Sequence, residues 1–296
     1  MFDRVEFCVL GSFLLPARAV PLPPHKQRGN ALRATLDGLE LARYRNHFVV
    51  SGSLAKYVRG ENAGEMTLAQ TREALDRLET ELGFSIREAR VWSLELGRTL
   101  IMRHPPAQYI SMLGELPGYN LTIYPNGNRL YFRGLHSVLL YDKTLEMAKK
   151  KKAMPELYRG RNLLRLEYKL KARLARQLRI VLTVGHLTDE AIYVTLLKRW
   201  KRFALAIPMG RAARPILDGD FKNTKESLAG VALCSIPGLT ESVLAGITAR
   251  TDLSNDERSR RKRELLALTT KPNWTEPTAL AQELTDRIRD AVRSFR

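Results

Sequence analysis

Cysteine is nearly missing: there are two in 296 residues, Cys8 and Cys234, with no CxxC or metal-ligand spacing. That argues against a disulfide framework or a cysteine metal site, and a reducing cytosol is the expected compartment. The five histidines form no His-hydrophobe-His triplet, and His25, His47, His104 and His186 stand at no ligand spacing. No apolar run approaches the roughly 20 residues of a membrane-spanning helix. The first residues, with Asp3, Arg4 and Glu6 ahead of a proline-interrupted apolar run, do not read as a secretory signal. No internal repeat is visible. Acid is scarce as well: 31 Asp and Glu stand against 49 Lys and Arg, a net charge of +18. Such an excess is more than solubility needs and points to a polyanionic partner. A hydrophobic content of 44% with a mean hydropathy of −0.26 describes a globular chain rather than a disordered one.

The charge is uneven. Residues 142–179 hold 13 Lys and Arg against 4 Asp and Glu, half of the total excess. The excess surrounds a strand-and-helix pattern and not an amphipathic helix beside an apolar anchor, so DNA is the expected partner and a membrane is not.

Strand patterns alternate with helical ones up to about residue 175. Strands are expected over residues 1–10, 47–53, 89–97, 121–124, 129–132 and 137–141. Pro125-Asn126-Gly127-Asn128 is a hairpin turn signal. Thr67 and Gln70 have the spacing of a capping box, opening a helix that Gly83 stops. Residues 106–113 are expected to be helical, and residues 16–30 a basic, proline-rich loop. Beyond Arg173 helical segments dominate: 189–203, 226–233, 241–249, 257–268 and 277–295, with residues 206–223 a linker. The expected fold class is α+β. A central antiparallel sheet flanked by helices makes up a domain of residues 1–175, followed by an all-helical region over 176–296 for DNA binding or self-association.

Two segments carry most of the chemistry. Leu163 to Leu170 alternates with period 2, which puts Arg165, Glu167 and Lys169 on one face and Leu164, Leu166, Tyr168 and Leu170 on the other. About one helix earlier, Leu139 to Glu146 delivers Tyr141 and Lys143 to one face of a neighbouring strand. Tyrosine, carboxylate and cations on a basic chain suggest phosphodiester chemistry.

Four blocks in order resemble the filamentous-phage gene II/X replication proteins and, more loosely, plasmid rolling-circle initiators. They are Ser53 to Asn62, Ser93-Leu94-Glu95-Leu96, Leu140-Tyr141-Asp142-Lys143 with Glu146, and Leu164-Arg165-Leu166-Glu167. The resemblance spans residues 47–172. It implies a site-specific DNA nickase in which Tyr141 attacks a phosphodiester at a phage or plasmid origin. A 5′-phosphotyrosine and a free 3′-hydroxyl would result, serving host polymerase and helicase in the bacterial cytoplasm. Ser93 stands where that family usually has Arg.

A free phenol has a pKa near 10, so Tyr141 needs a base, cation or metal to attack at neutral pH. Lys143 is the candidate to lower that pKa or to bind the phosphate. Glu95 and Glu167 are candidate ligands for Mg²⁺ or Mn²⁺; the alternative is an ion pair with Arg165 or Lys169. Glu146 is a third ligand or pairs with Lys150 along its helix. Lys56, Arg59, Lys149, Lys150, Lys151, Lys152, Arg165, Lys169, Lys171 and Arg173 are expected DNA contacts. His136 reads as a packed or hydrogen-bonded histidine. Trp200, among Lys198, Arg199, Lys201 and Arg202, either stacks on a base or sits in the core. Trp92, by strand parity, belongs in the core.

Overall fold

The computed structural model describes all residues except 1, 28, 63, 152–153, 214–227, 231, 234–235, 237, 271–274 and 294–296. Lys152, Cys234, most of the expected linker and residues 226, 227 and 231 of the helix expected over 226–233 lie outside the described residues.

The chain is α+β, built on one ten-stranded antiparallel sheet. Its first strand, β1 (Phe2–Leu10), is followed by a meander of β2 (Val20–Pro21), β3 (Leu32–Leu36), β4 (Leu39–Arg43) and β5 (His47–Gly52). The last of these returns to pair with β1. Two helices follow, α1 (Leu54–Arg59) and α2 (Leu68–Leu82). The pattern then repeats. Strand β6 (Arg90–Met102) leads through α3 (Pro106–Ser111) into a meander of β7 (Asn120–Ile123), β8 (Arg129–Arg133), β9 (His136–Asp142) and β10 (Asn162–Lys171). Here β10 returns to pair with β6. The resulting order, β2-β3-β4-β5-β1-β6-β10-β9-β8-β7, sets the two halves about the central β1–β6 pair. The sequence shows no such repeat, because the duplication lies in connectivity and not in residue identity.

Local chemistry explains the elements. Thr67 and Gln70 do form a capping box on α2, and Gly83 ends it at a φ of 75°. Asp37 and Gly38 both adopt positive φ, the requirement of a tight hairpin turn, and join β3 to β4. The strand carrying Tyr141 ends one residue later. Asp142 accepts the Leu145 amide at 2.9 Å as the N-cap of α4 (Lys143–Lys149). Lys143 therefore opens a helix instead of extending the strand, as the sequence pattern had suggested.

One sheet face is apolar and covered by helices. Leu94, Leu96, Leu164, Leu166, Tyr168 and Leu170 lie there, all buried. The short α5 (Leu174–Leu178) follows β10, and the covering layer is α2 together with α6 (Glu190–Ala206) and α9 (Ala279–Arg293). The apolar core therefore runs on past residue 175. Leu284 and Ile288, fully buried on α9, contribute about 1.5–3 kcal/mol each. Buried Arg98 fastens the same helix by donating to the Ala291 carbonyl, and pairs with Glu65 in the loop ahead of α2. Trp200 is fully buried, its indole N–H donating to the Leu166 carbonyl at 3.2 Å, so it is a core residue and no stacking platform.

Among its described residues, the region after 176 is mainly helical, with one short antiparallel pair, β11 (Arg211–Ala213) with β12 (Thr275–Pro277), and an isolated bridge from Thr183 to Arg90. Helices α7 (Leu239–Ala249) and α8 (Asn255–Thr270) pack mainly on each other. No helix among the described residues is long and apolar enough to cross a membrane.

Candidate active site

The second face of the sheet is polar at its centre, where β1, β6, β10 and β9 lie side by side. Glu95 on β6 sits opposite Lys169 on β10, and Glu167 lies opposite both Gly97 and Leu139. Tyr141 on β9 sits opposite Arg165. The fourth strand contributes through a defect. Phe2 pairs with Leu96 and Arg4 with Glu95, leaving Asp3 as an extra residue at a β-bulge. Bulges re-aim side chains next to functional sites, and this one delivers Asp3 beside the two glutamates. One carboxylate oxygen each from Asp3, Glu95 and Glu167 fall within 4.8 Å of one another.

Arg165 holds this group together. It is 2% exposed. Its guanidinium reaches Asp3 at 2.9 Å and Glu167 at 3.0 Å, and donates to Thr99 at 2.8 Å and to the Asn62 carbonyl at 3.1 Å. The Asn62 side chain donates to Asp3 at 2.8 Å and accepts from Lys143 at 3.3 Å. With every polar edge used and no solvent access, Arg165 cannot serve as a phosphate contact; the expectation that it binds DNA is corrected.

The charges push their neighbours apart. Burial raises the Asp3 carboxyl, but Arg165 and hydrogen bonds from Glu167 and Asn62 outweigh it and hold it well below the carboxylate range. Burial, with the neighbouring Asp3 charge, pushes Glu167 up to about 8. Glu167 is therefore the partner that keeps a proton at neutral pH, in a hydrogen bond to Asp3. The Tyr141 hydroxyl donates to Glu167 Oε1 at 2.7 Å. Burial and the adjacent Glu167 charge drive its pKa far above that of a free phenol.

Comparison of the chain with protein-family models and with curated proteins finds no match. Asp3, Glu95 and Glu167 offer the hard oxygen donors that Mg²⁺ or Mn²⁺ takes. Burial is the main reason Glu167 holds a proton, with Asp3 adding to it, and a cation bound there would have to displace that proton. The donor set therefore fits a divalent ion.

Asp3 was not among the expected ligands. The available signal was an acid set between Phe2 and Val5 in an apolar strand. Glu146, expected as a third ligand, lies outside the triad. It bridges Lys143, at 2.7 Å, and Lys150, satisfying the helical pairing that was its alternative. Both ion pairs foreseen for the glutamates also form, Glu95 with Lys169 at 3.0 Å and Glu167 with Arg165. Lys143 is buried, and burial draws its ammonium below the ordinary value against the pull of Glu146. Its Nζ lies 5.8 Å from the centroid of the Tyr141 ring and, besides Glu146, donates to the Asn62 side chain at 3.3 Å.

The triad and Tyr141 line a cleft of about 420 Å³ that also includes Lys56, Glu146, Lys150 and Lys169. Arg59 turns away, donating to the carbonyls of Gly64 and Glu65 and so bracing the loop that carries Asn62. Lys149, Lys151, Lys171 and Arg173 are exposed. His136 points elsewhere, hydrogen-bonded to Tyr119 at 2.7 Å.

Proposed function

We propose that this protein is a tyrosine-dependent DNA nicking and joining enzyme that uses Mg²⁺ or Mn²⁺ and starts rolling-circle replication at a phage or plasmid origin. The observation that carries the reading is the 2.7 Å contact between the Tyr141 hydroxyl and Glu167, within a carboxylate triad and a lysine-rimmed cleft. The ordered blocks resembling phage gene II/X proteins and the net charge of +18 support it.

In this reading Glu167, which rests protonated, must first lose that proton; the ionised carboxylate then takes the phenolic proton as the Tyr141 oxygen attacks phosphorus. The new Tyr–phosphorus bond forms as the bond to the 3′-oxygen breaks. That oxygen takes a proton from water and leaves as a 3′-hydroxyl, available to host polymerase, while the 5′-phosphate stays on Tyr141. Attack by the 3′-hydroxyl reverses the step and rejoins the strand. Because its pKa is driven upward, Tyr141 rests as the neutral phenol, so deprotonation accompanies attack. Arg165 keeps Asp3 and Glu167 in place, and Lys56, Lys150 and Lys169 attract the phosphate backbone. Asp3, Glu95 and Glu167 would hold a divalent ion, whose positive charge would polarise the scissile phosphate. The setting is the bacterial host cytoplasm, with host helicase as a further partner.

The test is incubation with a single-stranded DNA library and Mn²⁺, followed by denaturing electrophoresis. Wild type is expected to give a covalent protein–DNA band, and Tyr141→Phe, which keeps the packed ring, none. An undiminished band from the Phe variant refutes the nucleophile. A second reading, a non-catalytic DNA-binding replication or repressor protein, is favoured by one observation: Tyr141 is only 8% exposed. It predicts DNA binding with no covalent band from either protein.

A further inference from the structure

The polar sheet face continues past the cleft to the far ends of β1, β5 and β6, where it carries an aromatic cluster. Tyr44 and His47 close the β4–β5 hairpin, the Tyr44 amide donating to the His47 carbonyl at 2.9 Å. Their rings stack at a centroid distance of 4.2 Å, 10° from parallel. The Trp92 ring lies 6.3 Å from that of His47. Trp92 is 38% exposed, and Leu10, paired with His47, is 82% exposed.

A second bulge creates this arrangement. Glu6 pairs with Ser93 and Phe7 with Val91, so Trp92 is left without a partner on β1 and turned out of the core. The expectation of a core Trp92 fails for that reason. The surroundings are basic: Arg90 lies opposite Cys8, Lys171 opposite Ser93, and Arg45 in the hairpin turn, against Glu6. Trp92 is three residues from Glu95 along β6, roughly 10 Å at the rise of a strand.

We propose that Tyr44, His47 and Trp92 form a stacking subsite for unpaired bases of the single-stranded DNA that enters the Tyr141 cleft. The substrate class rests on the nicking reading. The subsite follows from an exposed Trp92 ring next to the half-buried Tyr44–His47 stack, beside cations on the same sheet face, the combination that binds single strands without reading sequence. A duplex hides its base faces and cannot use it. The charge complementarity of a +18 chain with a polyanion favours DNA over an apolar protein partner.

Fluorescence anisotropy with labelled oligothymidylate, and with a duplex of equal length, tests the proposal. Trp92→Ala is expected to weaken oligothymidylate binding by about 5- to 150-fold, the range for loss of one stacked base. Duplex affinity should stay within about two-fold, and Trp92→Phe should restore most of the single-strand affinity. Unchanged oligothymidylate binding by Trp92→Ala, or an equal loss on duplex, overturns the subsite. The covalent-band assay separates the two readings. A Trp92 effect without any adduct removes the nickase and keeps the subsite, whereas an adduct without a Trp92 effect does the reverse.

Discussion

Gly97→Ala adds one methyl group at the point where the site has least room. Gly97 sits opposite Glu167 on the neighbouring strand, with the Arg165 guanidinium lying across it. A Cβ there would stand 2.9 Å from Arg165 Cζ and 3.1 Å from Nε, and closer still to Nη2. The backbone of β6 is fixed by its ladder to β10, so the guanidinium must yield. On a surface that would cost little. Here Arg165 is bound to Asp3, Glu167, Thr99 and Asn62 and is out of solvent, so moving it loosens the pair that compensates Asp3. Removing one partner of a buried pair costs about 3–5 kcal/mol. Alanine's advantage over glycine in a strand, about 0.5–1 kcal/mol, returns part of that. The net expectation is a loss of about 2–4 kcal/mol in urea unfolding, read as a lower midpoint at unchanged slope. A double-mutant cycle isolates the cause: in an Arg165→Ala background the same methyl should cost less than about 0.5 kcal/mol. Equal costs with and without Arg165 would refute the argument, and so would a single variant as stable as wild type.

Two further outcomes follow from the charges. A cation at the triad must displace the proton that Glu167 holds with a pKa of about 8, so apparent Mn²⁺ affinity should fall about tenfold per pH unit below 8 and level off above it. Thermal shift with Mn²⁺ at several pH values reads this, Glu167→Gln should abolish the slope, and a pH-independent affinity would contradict the site. Replacing exposed Lys149 and Lys151 with Gln, while leaving Lys150 on Glu146, should lower the log–log salt slope for single-stranded DNA by up to about 1.4. An unchanged slope would make them a solvated helix end.

Much of the local structure was legible because it depends on neighbours in sequence. Period 2 placed Arg165, Glu167 and Lys169 on one face of β10, since alternation is a property of any extended backbone. The capping box at Thr67 and Gln70 and the turn at Asn126-Gly127 closed over a few residues in the same way. Even the hairpin at Asp37-Gly38, to which the periodicity reading assigns no element, carried its own turn signal. What the neighbours in space decide was not legible. Asp3 joins Glu95 across 92 positions of sequence only because a bulge in β1 meets the right register of β6. Arg165 looked like a surface cation and is buried because two acids and a glycine accept it there. The two tryptophans exchange their expected places for the same kind of reason. Trp92 is expelled by a bulge set by pairing with β1, and Trp200 is buried because α6 packs against the back of β10. Composition and periodicity thus determined an α+β chain with a basic surface and a charged strand. Strand order, bulges and helix cover, which come from long-range pairing and burial, decided which charges meet and which aromatics face solvent.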